Sequence, residues 1–308
     1  MGRRLASSLL TLVIASVVSF LALELAPGNA TELIIGGASR EMSPEALQKI
    51  RGAQGLDRSP VSRYCLWLRS VAAGDLGVSL KTNRPISTEF KARLPVSAAI
   101  AGGALCVAIV VGLVLAIASV LQEGRPVDHA VRIVAVACHS VPAFIIGLLL
   151  IYLCSFRLGW LPLYGVGGGR GLVLPILTLG GVMGFSLARI ARNTLLDAIH
   201  EEYFLAALGK GMSFRQALVR HGLRNSLTPL VTWLAMRFAG MLGGIVLIES
   251  LFSLPGMGSY ILEAVFSRDY PVIQGYMVFF CAVVVAANLC GDILVRIIDP
   301  RAARVRIN

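Results

Sequence analysis

Recognisable chemistry is scarce in this sequence. Its six cysteines (Cys65, Cys106, Cys138, Cys154, Cys281 and Cys290) show no CxxC spacing, and histidine occurs only four times in 308 residues. Cys138 and His139 are adjacent, so on a helix they point to different sides, while His129, His200 and His221 stand alone. These spacings argue against a zinc site. Gly209-Lys210-Gly211 lacks the upstream glycine at P-loop spacing and the Ser or Thr after the lysine, which excludes ATP hydrolysis by that route. No nucleophile elbow and no zinc-protease helix is present. The sequence therefore offers no catalytic residue, no metal ligands and no cofactor site on this chain.

Long apolar runs are what it has instead. Mean hydropathy is +0.77 and 56% of residues are hydrophobic, far above a soluble globular norm. The net charge of +11 would point to nucleic acid in a soluble protein, but no nucleic-acid fingerprint accompanies it. Much of the basic excess flanks apolar runs, where membrane topology explains it. Five of the cysteines lie in those runs, where a buried small hydrophobe is the default, and Cys65 lies outside them.

The first run, Leu5 to about Ala26, follows Arg3-Arg4 and is broken by Pro27-Gly28. A cleaved signal peptide has the same order of features. At about 20 residues the run is longer than a signal core and sufficient to span a bilayer, so a retained helix is expected, with Glu24 at its outer interface. Residues from 28 to about 94 form a long polar segment with helix-like pieces at Ser43 to Arg51 and Val61 to Ala73. A segment of that length can be translocated despite its basic residues. Five further spans are expected: Pro95 to about Leu121, Val131 to about Phe156, Leu172 to Leu187, Pro229 to about Leu251, and Pro271 to about Ile298. Loop 122–130 is then internal, and loop 157–170 external, with Trp160 and Tyr164 as interface aromatics. Six spans place both termini in the cytoplasm, in keeping with Arg296, Arg301, Arg304 and Arg306 in the tail.

Within the runs, Gly180/Gly184 and Gly240/Gly244 are GxxxG pairs that permit close helix approach, and Pro142 and Pro175 are expected to kink or break their helices. Ionisable and polar groups at membrane depth are costly, which singles out Arg237, Glu249, Asn288 and Asp292 as pathway-lining groups or as structural pairs. Asp292 and Arg296 stand four apart and can pair.

The chain is organised around the polar segment Arg189 to Pro229. It carries the densest basic cluster, Arg189, Arg192, Lys210, Arg215, Arg220 and Arg224, which assigns it to the cytoplasmic side. Ala198 to Leu208 is rich in helix formers, and Gly209 and Gly211 supply the permissive backbone that ends such a helix. Ser213 with Gln216 is a capping-box pattern, so a second helix should start at Phe214. On it Phe214, Ala217 and Leu218 share one stripe, with Val219 and Leu223 on the other side. Apolar residues on both sides fit a helix resting on its own spans while offering a second face to a partner.

Leu205-Ala206-Ala207, three residues, then Gly211 resembles the EAA loop of the membrane subunits of bacterial ABC importers, with Leu205 where that family often has Glu. Leu227-Thr228-Pro229 is the equivalent of the closing Leu-Pro pair, set further from the glycine than in sugar importers. That spacing and RHGLRNSLTPL resemble the dipeptide, oligopeptide and nickel permeases. So do GLDRSPVSRYCLWL and GDLGVSLKTNRPI in the first external segment, and FSLPGMGSYILEAVFSRDYPVIQG, where the family has a short re-entrant or surface helix before its last span.

The resemblance implies an all-α membrane protein with the type I ABC importer permease fold. It implies six transmembrane helices in one permease domain over residues 1–308, with the external segment at about 28–94 and the coupling loop at about 189–228. It further implies a second homologous permease subunit, two cytoplasmic ATPases that bind ATP and Mg, an external substrate-binding protein, and residence in the cytoplasmic membrane of a bacterium. Leu205, Ala206, Ala207, Gly211, Ser213, Phe214, Arg215, Leu218 and Pro229 become the ATPase-coupling residues. Di- or oligopeptides are the expected cargo. Nickel, a metal chelate or an opine stays open, since a metal delivered as a chelate needs no ligands in the pore. A self-sufficient secondary transporter would show inverted repeats and a midplane set of ionisable groups, and neither is clear in the sequence.

Overall fold

The computed structural model describes residues 2–24, 59–162 and 168–298. The expected helix at Ser43 to Arg51, Tyr164 and the arginines of the tail beyond 298 lie outside these residues. Helices account for almost all of the described chain, and the only strand-like feature among these residues is a single bridge between Val78 and Pro85. The helices are α1 (Gly2–Glu24), α2 (Pro60–Ala72), α3 (Ile86–Leu121), α4 (Pro126–Ser140) and α5 (Ala143–Leu150), the last continuing as a π turn over Ile151–Arg157. They are followed by α6 (Val173–Ile199), α7 (Glu202–Gly209), α8 (Phe214–Ala217), α9 (Leu223–Leu251), α10 (Met257–Phe266) and α11 (Tyr270–Ile298).

Among the described residues, four helical stretches are long and apolar enough to cross a membrane: 86–121, 169–199, 214–251 and 270–298, with α4 and α5 making a fifth if the bent pair is one span. In α1 the apolar part is the shorter Leu10–Leu21. Contacts group the chain into two compact units, one of residues 1–94 with 260–285, the other of 95–259 with 286–308.

Of the three spans expected to start at proline, α11 begins beside Pro271 as read, and the other two begin well before theirs. α3 begins at Ile86 and runs through Pro95, because the turns before the proline are anchored by Ile86, fully buried, and Phe90, whose ring meets Tyr260 and Phe279 edge-on. Pro229 likewise sits inside a helix: α8, the π turn Leu218–Gly222 and α9 run on from Phe214 to Leu251. Ser226 and Leu230, each buried, hold the backbone on either side of it. One missing backbone donor is tolerated where flanking turns are packed.

Pro142 does break its span. α4 ends at Ser140, α5 starts after Pro142, and the two axes differ by 106°. The residue before a proline is driven out of the helical region, and Val141 is extended (φ −100°, ψ 128°). Pro175 produces no such break, since it lies in the first turn of α6, where its missing N–H would have had no helical partner. α6 also runs on to Ile199, well past the expected Leu187, so Arg189 and Arg192 are helical residues and not loop residues.

In the second unit the core forms two clusters. One joins Ile100, Ala104, Leu174, Met183, Ile245, Ile248 and Phe252; the other joins Ala116, Leu187, Leu195, Phe204, Ala207, Ala217 and Leu218. Gly180 and Gly184 make the α3–α6 crossing close: a Cβ at 180 would stand 2.7 Å from Val107 Cβ and 2.8 Å from the Ala104 carbonyl oxygen. Gly240 has nothing within 4 Å and Gly244 only Leu179 at 3.5 Å, so that second GxxxG pair makes no tight crossing within this chain.

In the first unit, the Asp269 carboxylate accepts hydrogen bonds from Ser79 Oγ (2.5 Å) and from the backbone N–H groups of Leu80 and Lys81. Lys81 Nζ meets Glu263 at 2.6 Å, an exposed pair that holds the Glu263 carboxyl below its ordinary range. Together these bonds staple the segment after α2 to the α10–α11 turn.

Candidate functional site

The segment between α6 and α9 is built as a hook. α7 buries Phe204 and Ala207 in the second core cluster and leaves Tyr203, Leu205 and Ala206 exposed. It ends at Gly209, and the chain reverses through Gly211, whose φ of +87° is the left-handed region. A Cβ there would meet no atom within 4 Å, so the need for glycine is conformational and not spatial.

Ser213 then caps α8. Its Oγ accepts from Gln216 N–H (3.4 Å), and Gln216 Oε1 accepts from Ser213 N–H (3.2 Å), the reciprocal capping box expected from the sequence. The Phe214 ring meets Phe204 edge-on at 5.6 Å, tying the two arms together. The expected stripes are rearranged. Ala217 and Leu218 are fully buried and Leu223 packs on the same cluster, while Phe214 stays 39% exposed and Val219 49% exposed. A wider π turn over Leu218–Gly222 rotates the side chains after Leu218 relative to a regular helix, which is why Leu223 faces inward.

The outward surface of the hook is an open groove of about 550 Å³ lined by Met212, Arg215, Gln216, Val219 and Arg220. Its lining combines two apolar side chains, Met212 and Val219, with two arginines. Pro229 belongs to a different depression, of about 290 Å³, with Asp197, Tyr203 and Asn225.

Two buried carboxylates brace the spans. Asp128, in the first turn of α4, accepts from Arg192 Nε (2.6 Å) and Nη2 (2.8 Å), from Ser119 Oγ and from Gly124 N–H, joining α3, the α3–α4 turn and α6. Its side chain is 1% exposed. Sequence reasoning passed over Asp128; the available signal was an acid in the first turn of a helix begun by Pro126.

Glu249 is fully buried near the end of α9. It accepts from Ser97 Oγ (2.5 Å) and from the N–H groups of Gly258 (2.7 Å) and Ser259 (3.0 Å), while Met257 N–H donates to the same serine oxygen. The carboxylate thus sits on the N-terminus of α10, where backbone donors and the helix dipole favour an anion. Within this chain the carboxylate braces α3 and α9 against the start of α10.

Arg237 is exposed, with its guanidinium 5.5 Å from the Trp233 ring centre; Asn288 is exposed and Asp292 half-buried on α11. Among the described residues no group of three or more His, Cys, Asp or Glu is placed to hold a metal ion.

Residues 108–304 match the family described as binding-protein-dependent transport system inner membrane component, and residues 1–101 match its N-terminal companion. The chain belongs to this family of ABC importer permeases. It is 33% identical to the glutathione transport system permease protein GsiC of Escherichia coli O6:H1 over 298 residues, covering 97% of this chain and 96% of that one. The protein of the same name from Salmonella choleraesuis gives the same identity and coverage. Among solved structures, a chain of the MetNI methionine ABC transporter in an inward-facing form superposes with a TM-score of 0.56 at 18% identity, over 68% of this chain and 96% of that one. The permease is therefore a non-catalytic, multi-pass inner-membrane subunit of the peptide and nickel branch, with the type I importer fold.

Proposed function

We propose that this permease forms the translocation path of a peptide importer, working with a second homologous permease, two cytoplasmic ATPases and an external binding protein. The observation that carries the reading is the hook: Phe214, Arg215, Val219 and Arg220 face outward from a backing, Ala217 and Leu218, that is locked into the core below α6. A partner pushing on that groove moves the spans, because the buried side of the hook cannot slide independently of them. ATP-driven closure of the ATPases then switches the path between inward- and outward-facing states. In this reading the hook and both termini are cytoplasmic.

Gly211→Trp tests the hook. It should leave the ATPases active but lower transport per ATP hydrolysed, since a bulky side chain at φ +87° disturbs the elbow. Unchanged transport and assembly would sink the assignment.

The relatives' name makes glutathione, a tripeptide, the first cargo to try. Titrating the cognate binding protein with glutathione, dipeptides and nickel chelates decides it. Binding of nickel alone would overturn the peptide cargo while leaving the coupling mechanism standing.

A further inference from the structure

α2 has the surface of a helix that lies in a membrane. It buries no residue completely, yet one side of it is docked: Tyr64 Oη and Ser16 Oγ of α1 are 2.8 Å apart, and the Phe20 ring meets Tyr64 at 5.5 Å and Trp67 at 6.2 Å. Next to that docked side runs a second apolar stripe, Val61, Cys65, Leu68 and Ala72, spaced at i, i+4, i+7 and i+11, and all four are exposed. Val61 is 71% exposed. Ser62 and Arg69 flank that stripe, and Ser70 lies opposite it beside the exposed Leu66, so the helix is amphipathic with its longer apolar stripe left exposed.

Where α2 meets α1 gives the depth. Ser16 and Phe20 lie eight and four residues before the end of α1 at Glu24, which is about 12 and about 6 Å along a helix. α1 is about 34 Å long from end to end, and Ser16 and Phe20 lie within its apolar stretch Leu10–Leu21, which covers about 18 Å. Its own exposed residues at this level, Ile14, Val18 and Leu21, are apolar. α2 thus crosses α1 towards the Glu24 end of its apolar stretch, about 6–12 Å from that charged end, a depth comparable with that of interfacial amphipathic helices. Arg69, which is exposed, is long enough to reach lipid phosphates from there.

We propose that α2 is an interfacial anchor whose Val61–Cys65–Leu68–Ala72 stripe rests on lipid acyl chains, making this part of the polar segment a membrane-bound element. The occupant is the bilayer itself. The inference rests on membership of an inner-membrane family and not on the cargo or coupling readings.

Spin labels test it in the importer purified with its partner subunits and reconstituted in phosphatidylethanolamine–phosphatidylglycerol vesicles. Labels would be placed singly at Cys65 (with the other five cysteines replaced) and, by cysteine substitution, at positions 61, 68, 72, 62 and 70. Relaxation by oxygen should exceed relaxation by a water-soluble nickel chelate at 61, 65, 68 and 72, and the order should reverse at 62 and 70. Greater access to the nickel chelate along the stripe would overturn the proposal by placing it in water. Low access to both reagents would overturn it equally, by showing that protein covers the stripe.

Discussion

Asp128 takes four hydrogen bonds, two of them from one guanidinium, in a place almost closed to solvent. Removing one member of such a pair leaves the other charge buried without compensation, which costs about 3–5 kcal/mol. Asp128→Ala is therefore expected to lower the thermal midpoint of the detergent-solubilised permease sharply, with Asp128→Arg/Arg192→Asp recovering part of the loss; scanning fluorimetry on the three proteins measures it. Tyr260 makes a different residue-scale test. Burial, then the Asp269 and Glu89 carboxylates, push its phenol up to about 12, against an ordinary value of 10.0. A raised acid is favoured in its neutral form by folding. Its contribution is thus complete below pH 10 and lost as the pH rises towards 12. Ultraviolet titration of the folded permease should show one tyrosine still protonated at pH 11, and Tyr260→Phe should remove that late step.

At the scale of elements, the α3–α6 crossing and the neighbouring α9 surface give opposite expectations for the same substitution. Gly180→Ala forces a Cβ against Val107 and the Ala104 backbone, so the helices must separate, at a cost of about 1–3 kcal/mol for overpacking. Gly240→Ala meets nothing within 4 Å and adds helix propensity, so stability of the isolated chain should be unchanged or slightly raised. Thermal midpoints of the two variants check the contrast. Both pairs read alike as GxxxG, because spacing reports what a helix allows and not which neighbour accepts the offer. The prolines teach the same lesson: Pro142 breaks its span, Pro95 and Pro229 do not, and the difference lies in the packing of adjacent turns.

For the whole molecule, the helices differ in how much of themselves they bury. In its apolar window α6 has 56% of residues buried, the stretch 214–251 has 17% and α11 has 6%. An apolar helix with so little cover is completed by lipid or by another subunit. Vesicles holding this permease alone are expected to take up no labelled glutathione, with or without ATP. Uptake should appear only when the second permease, the ATPases and the loaded binding protein are present together. Nucleotide-independent uptake by the single chain would sink the proposed function.

Hydropathy, the positions of basic residues and the Ser213–Gln216 and glycine punctuation of the hook were determined by the sequence alone, because they depend on local chemistry repeated along the chain. Ser213 capped α8 as read, and the elbow at Gly211 took its positive φ. Which prolines bend the chain, where α6 ends, and which side of the hook is left open were decided only in three dimensions. So was the full burial of Glu249 against Ser97 and the start of α10. Several contacts that the sequence does not announce join partners distant along the chain: Ser97 with Glu249, Arg192 with Asp128, Val107 with Gly180. Local pattern states which contacts a residue is able to make, and packing selects the ones it does make.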